Sequence, residues 1–159
     1  MTNIELYCKA NRRKRNDEYV SACGYIIKAG EQYEEKAYTT NMEGGVVKLE
    51  IAAVMDALTE IDNKGLLSLE NTIDFYINNK YIVEALVENL EKKKTGGSIL
   101  DDKELKYASL WQTIDTLLSK CKGYTATGLD KKSRGECNEE ITKNMGRINR
   151  IVCDQTSKG

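Results

Sequence analysis

A chain of 159 residues with 40% hydrophobic and 31% charged side chains has the composition of one folded domain rather than of a disordered segment. No apolar run approaches the roughly 20 residues that span a bilayer, and Glu5 and Lys9 interrupt any signal-peptide pattern, so a cytoplasmic location is expected. A net charge of −1 excludes a general polycation; the absence of histidine, with five scattered cysteines and no C-x-x-C pair, excludes the usual zinc motifs and a histidine base. Buried free thiols in a reducing compartment are the expectation.

In chain order, residues 3–9 read as a short apolar strand running into a turn, and residues 19–28 as a second strand. Ala29-Gly30-Glu31 signals a tight turn and 32–40 alternates again, so 19–40 reads as a hairpin. Glu43-Gly44-Gly45 breaks the pattern. Val47, Ile51, Val54, Leu58 and Ile61 then recur at helical spacing and predict a helix over about 46–62, closed by Asn63-Lys64-Gly65. Residues 72–78 form a strand with Ile73, Phe75 and Ile77 on one face and Asp74, Tyr76 and Asn78 on the other. A helix from about 80 carries the stripe Ile82, Val83, Leu86, Val87 and Leu90, followed by a basic connector from Lys92 to Ser98.

Tyr107, Leu110, Trp111, Ile114, Leu117 and Leu118 mark another helix ending near Cys121. A strand near 123–127 and a helix carrying Ile141, Met145 and Ile148 complete a domain over 1–151, with 152–159 expected as a frayed C-terminal tail. A meander followed by crossovers predicts an α/β fold: a five-stranded mixed sheet, first three strands antiparallel, flanked by helices. The strands at 3–9 and 72–78 are expected to be parallel neighbours.

Three segments carry a resemblance. They are the strand Ile4-Glu5-Leu6-Tyr7-Cys8-Lys9-Ala10-Asn11, the helix start Leu49-Glu50-Ile51-Ala52-Ala53, and the strand Ile73-Asp74-Phe75-Tyr76-Ile77-Asn78. With Tyr38-Thr39-Thr40-Asn41, Leu110-Trp111 and Gly135-x-x-Asn138, in this order and spacing, they resemble type 1 ribonuclease H over roughly residues 3–150. The resemblance implies a ribonuclease H-like fold and two divalent metals held by four carboxylates. It places those carboxylates at Lys9, Glu50, Asn78 and Thr142, and a loop histidine near Leu129.

Of the four, only Glu50 is acidic. Mg²⁺ needs anionic oxygens at ~2.1 Å, and an ammonium ~4 Å from a divalent cation repels it by about 8 kcal/mol at an effective dielectric of ~20. Glu5 and Asp74 share the faces of Lys9 and Asn78 but lie four residues back, about 13 Å away. The expectation is therefore a pseudoenzyme, not an enzyme, with no metal and no cofactor. The alternative is an active metal-dependent RNA–DNA hybrid endonuclease with displaced ligands, using Mg²⁺ and recruiting Glu139 or Glu140. Glu50 also reads as a helix residue in salt-bridge reach of Lys9, so the two are expected in direct contact. Asn78 or Asn79 reads as the cap of the helix that follows, and Thr142 as an ordinary first-turn residue.

Basic clusters are the remaining signal. Lys9 with Arg12, Arg13, Lys14 and Arg15 puts five cations into seven residues of an expected hairpin loop. Lys92, Lys93 and Lys94 lie between helices, and Lys131, Lys132 and Arg134 precede the last one. One charge run in a loop is usually only solvated. Three around the groove that the resemblance implies point to phosphate contacts, with Asn41 added from the family pattern. The expected partner is an RNA–DNA hybrid or other nucleic acid duplex, or a protein, and not a membrane.

Overall fold

The first strand is longer than its apolar stretch. In the computed structural model, which describes residues 2–128 and 139–157, β1 (Asn3–Arg15) pairs antiparallel with β2 (Glu18–Ala29) from Ile4↔Ala29 to Arg15↔Glu18. Asn16 and Asp17 make the two-residue turn, both with positive φ (50° and 68°), the geometry of hairpin turns whose twist matches that of the strands. Residues 12–15, expected in a loop, are therefore strand residues. Their side chains alternate between two faces, which divides the basic cluster.

After a turn at Gly30 (φ 60°), β3 (Gln32–Thr40) pairs antiparallel with β2. There follow α1 (Val46–Asn63), β4 (Thr72–Ile77), α2 (Lys80–Lys93), a 3-10 turn (Ile99–Asp101), α3 (Ala108–Leu118), β5 (Gly123–Gly128) and α4 (Glu139–Ser157). The sheet order is β3-β2-β1-β4-β5, with β4 parallel to both β1 and β5. This is the expected mixed sheet, with the first and fourth strands in sequence adjacent and parallel.

Alternation along β1 sorts its side chains into two cores. Ile4, Leu6, Cys8 and Ala10 pack with Phe75 and Ile77 of β4 against Leu49, Ile51 and Val54 of α1 and Trp111 and Ile114 of α3. Tyr7 joins Ala22 and Ile26 of β2 against Ile141, Met145, Ile148 and Val152 of α4. Each such side chain contributes about 1.5–3 kcal/mol on burial. The approach of α4 is close because Gly24 has no side chain: a Cβ there would stand 2.5 Å from Val152 Cγ2 and 2.9 Å from the Lys36 carbonyl oxygen.

Two segment boundaries differ from the sequence reading. Helix α2 continues through Lys92 and Lys93, so those residues are not a connector. Helix α4 continues to Ser157 with Val152 and Thr156 at 0% exposure, so the fraying expected from 152 is not found up to 157. Leu129, Lys131, Lys132, Arg134, Gly135 and Asn138 lie outside the described residues. Among the described residues no helix is long and apolar enough to cross a membrane.

Candidate functional site

From β1 the chain builds β2 and β3 on one side and later β4 and β5 on the other, so the strand order reverses between β1 and β4. In open α/β sheets such a switch point leaves a crevice outside the carboxyl ends of the parallel strands. The β1–β4 ladder closes at Tyr7↔Tyr76. Lys9 and Asn78 each stand two residues beyond that pair, where the strands part. Helix α2 starts in the same place. Its cap is Asn79, whose Oδ1 accepts from the Ile82 N–H at 3.2 Å, and not Asn78, which is exposed.

Glu50 enters from the first turns of α1 and is 2% exposed, with Oε1 lacking any hydrogen-bond partner. Burial pushes its carboxyl up to about 7, while the Lys9 cation and the Asn79 amide pull in the opposite direction. Among the described residues no ion pair within 4.0 Å involves Lys9, so the expected direct Lys9–Glu50 contact is corrected to a longer-range attraction. The reason is alternation. Lys9 shares the α4 face with Tyr7 and with Asn11, whose Nδ2 donates to Thr156 Oγ1 at 2.8 Å, whereas α1 covers the opposite face. Behind Glu50, burial pushes the Cys8 thiol up and that of Cys23 to about 12. Cys23 donates to the Leu49 carbonyl at 3.3 Å.

The remaining acidic candidates are engaged elsewhere. Glu140 pairs with Lys28, which also lies 3.9 Å from Glu5, and Glu139 is exposed. Asp74 accepts from Asn3 Nδ2 at 2.8 Å and Thr125 Oγ1 at 2.7 Å. Thr142 is exposed and sits six residues, about 9 Å of helix rise, before Ile148, which packs at the level of Gly24, the cross-strand partner of Lys9. The structure thus gathers Lys9, Glu50 and Asn79 and leaves Thr142 apart. Among the described residues no three His, Cys, Asp or Glu side chains gather so as to hold a metal ion. One carboxylate beside an ammonium does not fit a pair of divalent cations.

A second feature lies three residues farther along β1. The Arg12 guanidinium stacks 3.8 Å over the Tyr19 ring, and both line a groove of about 550 Å³ with Ser21, Thr40, Asn41, Gly45 and one carboxylate, Glu43. Gly45 is the N-cap of α1, makes no side-chain cap bond, and is followed by no acidic residue in the first turn, so the amide-rich positive end of the helix faces the groove. Arg12 and Asn41, expected from sequence, meet here. Tyr19 and Ser21 were not foreseen; the only signal was an exposed aromatic beside the basic run.

The other expected cations have other work. Arg13 donates to Ser157 Oγ at 3.2 Å and Arg15 to the Thr156 carbonyl at 3.4 Å, so both hold the C-terminal end of α4. Lys92 pairs with Glu88 at 3.1 Å, Lys93 with Asp115 at 3.0 Å and Lys94 with Glu91 at 3.0 Å. Lys14 is exposed.

No family model and no curated protein sequence matches the chain. Solved structures do. The RNase H domain of prototype foamy virus superposes with a TM-score of 0.71 at 16% identity, covering 98% of this chain and 95% of that one. RNase H1 of Halobacterium salinarum superposes with 0.63 at 12% identity over 99% of both chains. LC11-RNase H1, isolated from compost and solved with an RNA/DNA hybrid, superposes with 0.64 at 15% identity over 98% and 97%. The chain has the RNase H-like fold. Identities this low establish the fold alone. The expectation that the chain is not an enzyme is corrected on that basis: the fold is shared with RNase H1 and RNase H domains along almost its whole length, and the lack of a metal-holding cluster among the described residues does not show a degenerate site. Replaced carboxylates at family positions are not a demonstration of lost activity.

Proposed function

We propose that this RNase H-like domain engages nucleic acid duplexes, RNA–DNA hybrid foremost, across the β1–β4 crevice and the Arg12–Asn41 groove. The observation that carries the reading is the convergence of Arg12, stacked on Tyr19, with Asn41 and the open N-terminus of α1 in one groove. Arginine and an exposed helix N-terminus are phosphate-binding groups, and an amide reads base edges or sugar hydroxyls. Lys9 and Arg12 lie about 10 Å apart along β1 and on its opposite faces, so a duplex that meets both lies across the edge of β1 left open beyond Tyr7↔Tyr76. Two structural neighbours support the class of ligand: LC11-RNase H1 was solved with an RNA/DNA hybrid, and a foamy viral protease-reverse transcriptase with dsDNA. The free thiols Cys8, Cys23, Cys121 and Cys153 suit a reducing, cytoplasmic setting.

Fluorescence anisotropy with a labelled hybrid, the matching dsDNA and the matching dsRNA tests this. Hybrid binding that weakens with salt, and weakens about tenfold or more in Arg12→Gln with Asn41→Ala, is the expected result. Failure of the hybrid to bind at low salt would refute it.

A second reading, hydrolysis of the bound hybrid, is favoured by Glu50. A carboxyl raised to about 7, with one oxygen unpartnered, exchanges its proton near neutrality and stands at the crevice. Cleavage of the hybrid that disappears in Glu50→Gln while binding persists is the expected signature. Cleavage that is equal in both proteins would remove Glu50 from the chemistry.

A further inference from the structure

We propose that Lys9 makes the β1–β4 crevice an anion site, its ammonium taking a phosphodiester oxygen of the bound duplex directly, with no bridging divalent cation. The inference rests on the duplex-binding reading above and names the contact at its centre.

Three observations on this chain carry it. Lys9 stands where the parallel ladder ends, half-buried, at the position of the sheet that opens a crevice. Its ammonium has no carboxylate within 4.0 Å among the described residues, while Lys28, Lys64, Lys93, Lys120 and Arg147 each have one at that distance or nearer. From β4 and α2 the crevice is bounded by Asn78 and the cap Asn79, both neutral, and by Lys80, whose 89% exposed side chain pairs with Glu84 at 3.8 Å one turn farther along α2.

Glu50 lies deeper, at 2% exposure, and among the described residues makes no ion pair within 4.0 Å with Lys9. A cation held in place by a distant charge, but not neutralised by contact, is pre-positioned for an anion. An ammonium offers three donors to phosphate oxygens. A divalent cation in the same space would meet one carboxylate and a repelling ammonium. The two occupants therefore predict opposite effects of removing Lys9.

The test is hybrid binding by the full chain, followed by anisotropy across a salt series, in EDTA and in Mg²⁺. Chelation should leave the affinity unchanged. Lys9→Met should weaken binding about tenfold and flatten the slope of log K against log[salt] by about one, and Lys9→Arg should restore both. Lys120→Met, on the far side of the domain, should leave the slope as it is. Thermal melts establish folding, and Lys9→Gln carries the same test if Lys9→Met melts below the assay temperature. Equal or tighter binding by Lys9→Met, affinity that depends on Mg²⁺, or the same flattening in Lys120→Met would overturn the proposal while leaving duplex binding intact. No hybrid binding by the unaltered chain would overturn both.

Discussion

Replacing Glu50 by glutamine isolates the electrostatics of the crevice, because the two side chains have nearly the same shape. The carboxyl is raised from 4.5 to about 7, chiefly by burial, with Lys9 opposing. That difference, at 1.36 kcal/mol per pKa unit, amounts to about 3 kcal/mol. The sign follows from where the proton is held more tightly. The folded state binds it better than the unfolded chain, so the stabilisation is complete below about 4.5 and is lost as the pH rises through about 7.

Glu50→Gln should therefore melt like the unaltered chain near pH 4 and become the more stable protein above pH 7. For a domain of this size 1 kcal/mol corresponds to about 2–4 °C in Tm, so the gap at pH 8 should reach about 6–12 °C. Paired calorimetric melts from pH 4 to pH 8 measure it. Lys9→Met should move the crossover upward, since it removes the cation that pulls the carboxyl down. A Tm difference that stays constant across the range would refute the claim that Glu50 is a desolvated, incompletely partnered carboxyl.

Other substitutions test the packing and the division of the basic cluster. Gly24→Ala puts a Cβ 2.5 Å from Val152 Cγ2 and 2.9 Å from a backbone oxygen, and should cost about 1–3 kcal/mol. Val152→Ala in the same protein should recover part of that loss, as denaturant melts would show, because the nearest clash is then gone. Arg13→Gln with Arg15→Gln should lower Tm by a few degrees through lost contacts to the end of α4, at about 0.5–1.5 kcal/mol per bond, while hybrid affinity changes less than in Arg12→Gln. Gly146→Ala, where an added Cβ meets nothing within 4 Å, should stabilise α4 by about 0.5–1 kcal/mol in the same melts.

How legible all this was in the sequence depended on whether a residue's role is local. The alternation of Ile73, Phe75 and Ile77, and the helical spacing of Val47, Ile51, Val54, Leu58 and Ile61, gave β4 and α1 nearly to the residue, since burial on one face sets both patterns. The outer half of β1 was not legible: Asn11-Arg12-Arg13-Lys14-Arg15 has no apolar alternation, and what makes it a strand is its pairing with β2 across the Asn16-Asp17 turn. The end of α4 was hidden for a related reason, because Val152 and Thr156 are buried by tertiary packing rather than by any pattern in 152–159. Lys9 and Glu50 were found from family spacing. Tyr19 was not, because its stacking on Arg12 needs the register Arg12↔Ser21, which sets Tyr19 diagonally across the hairpin.

Strand alternation also decides how many cations are left for a duplex, and this number is measurable. The sequence offers eleven basic residues in three clusters, which would give a slope of log K against log[salt] near −10 if every one touched a phosphate. In the fold, Arg13 and Arg15 point to α4 and are held by Thr156 and Ser157, and Lys92, Lys93 and Lys94 each face a carboxylate. Exposed ion pairs are individually weak, about 0–1 kcal/mol, yet a lysine that keeps its carboxylate releases no counterion on binding. Arg12 and Lys14 remain on the groove side of β1, with Lys9 at the crevice. Three phosphate contacts give a slope of about −3, and full engagement of Lys131, Lys132 and Arg134 would steepen it to about −5. A measured slope near −10 would return the α2 lysines and the α4-bound arginines to the interface, and with them refute the division of labour that the hairpin register imposes.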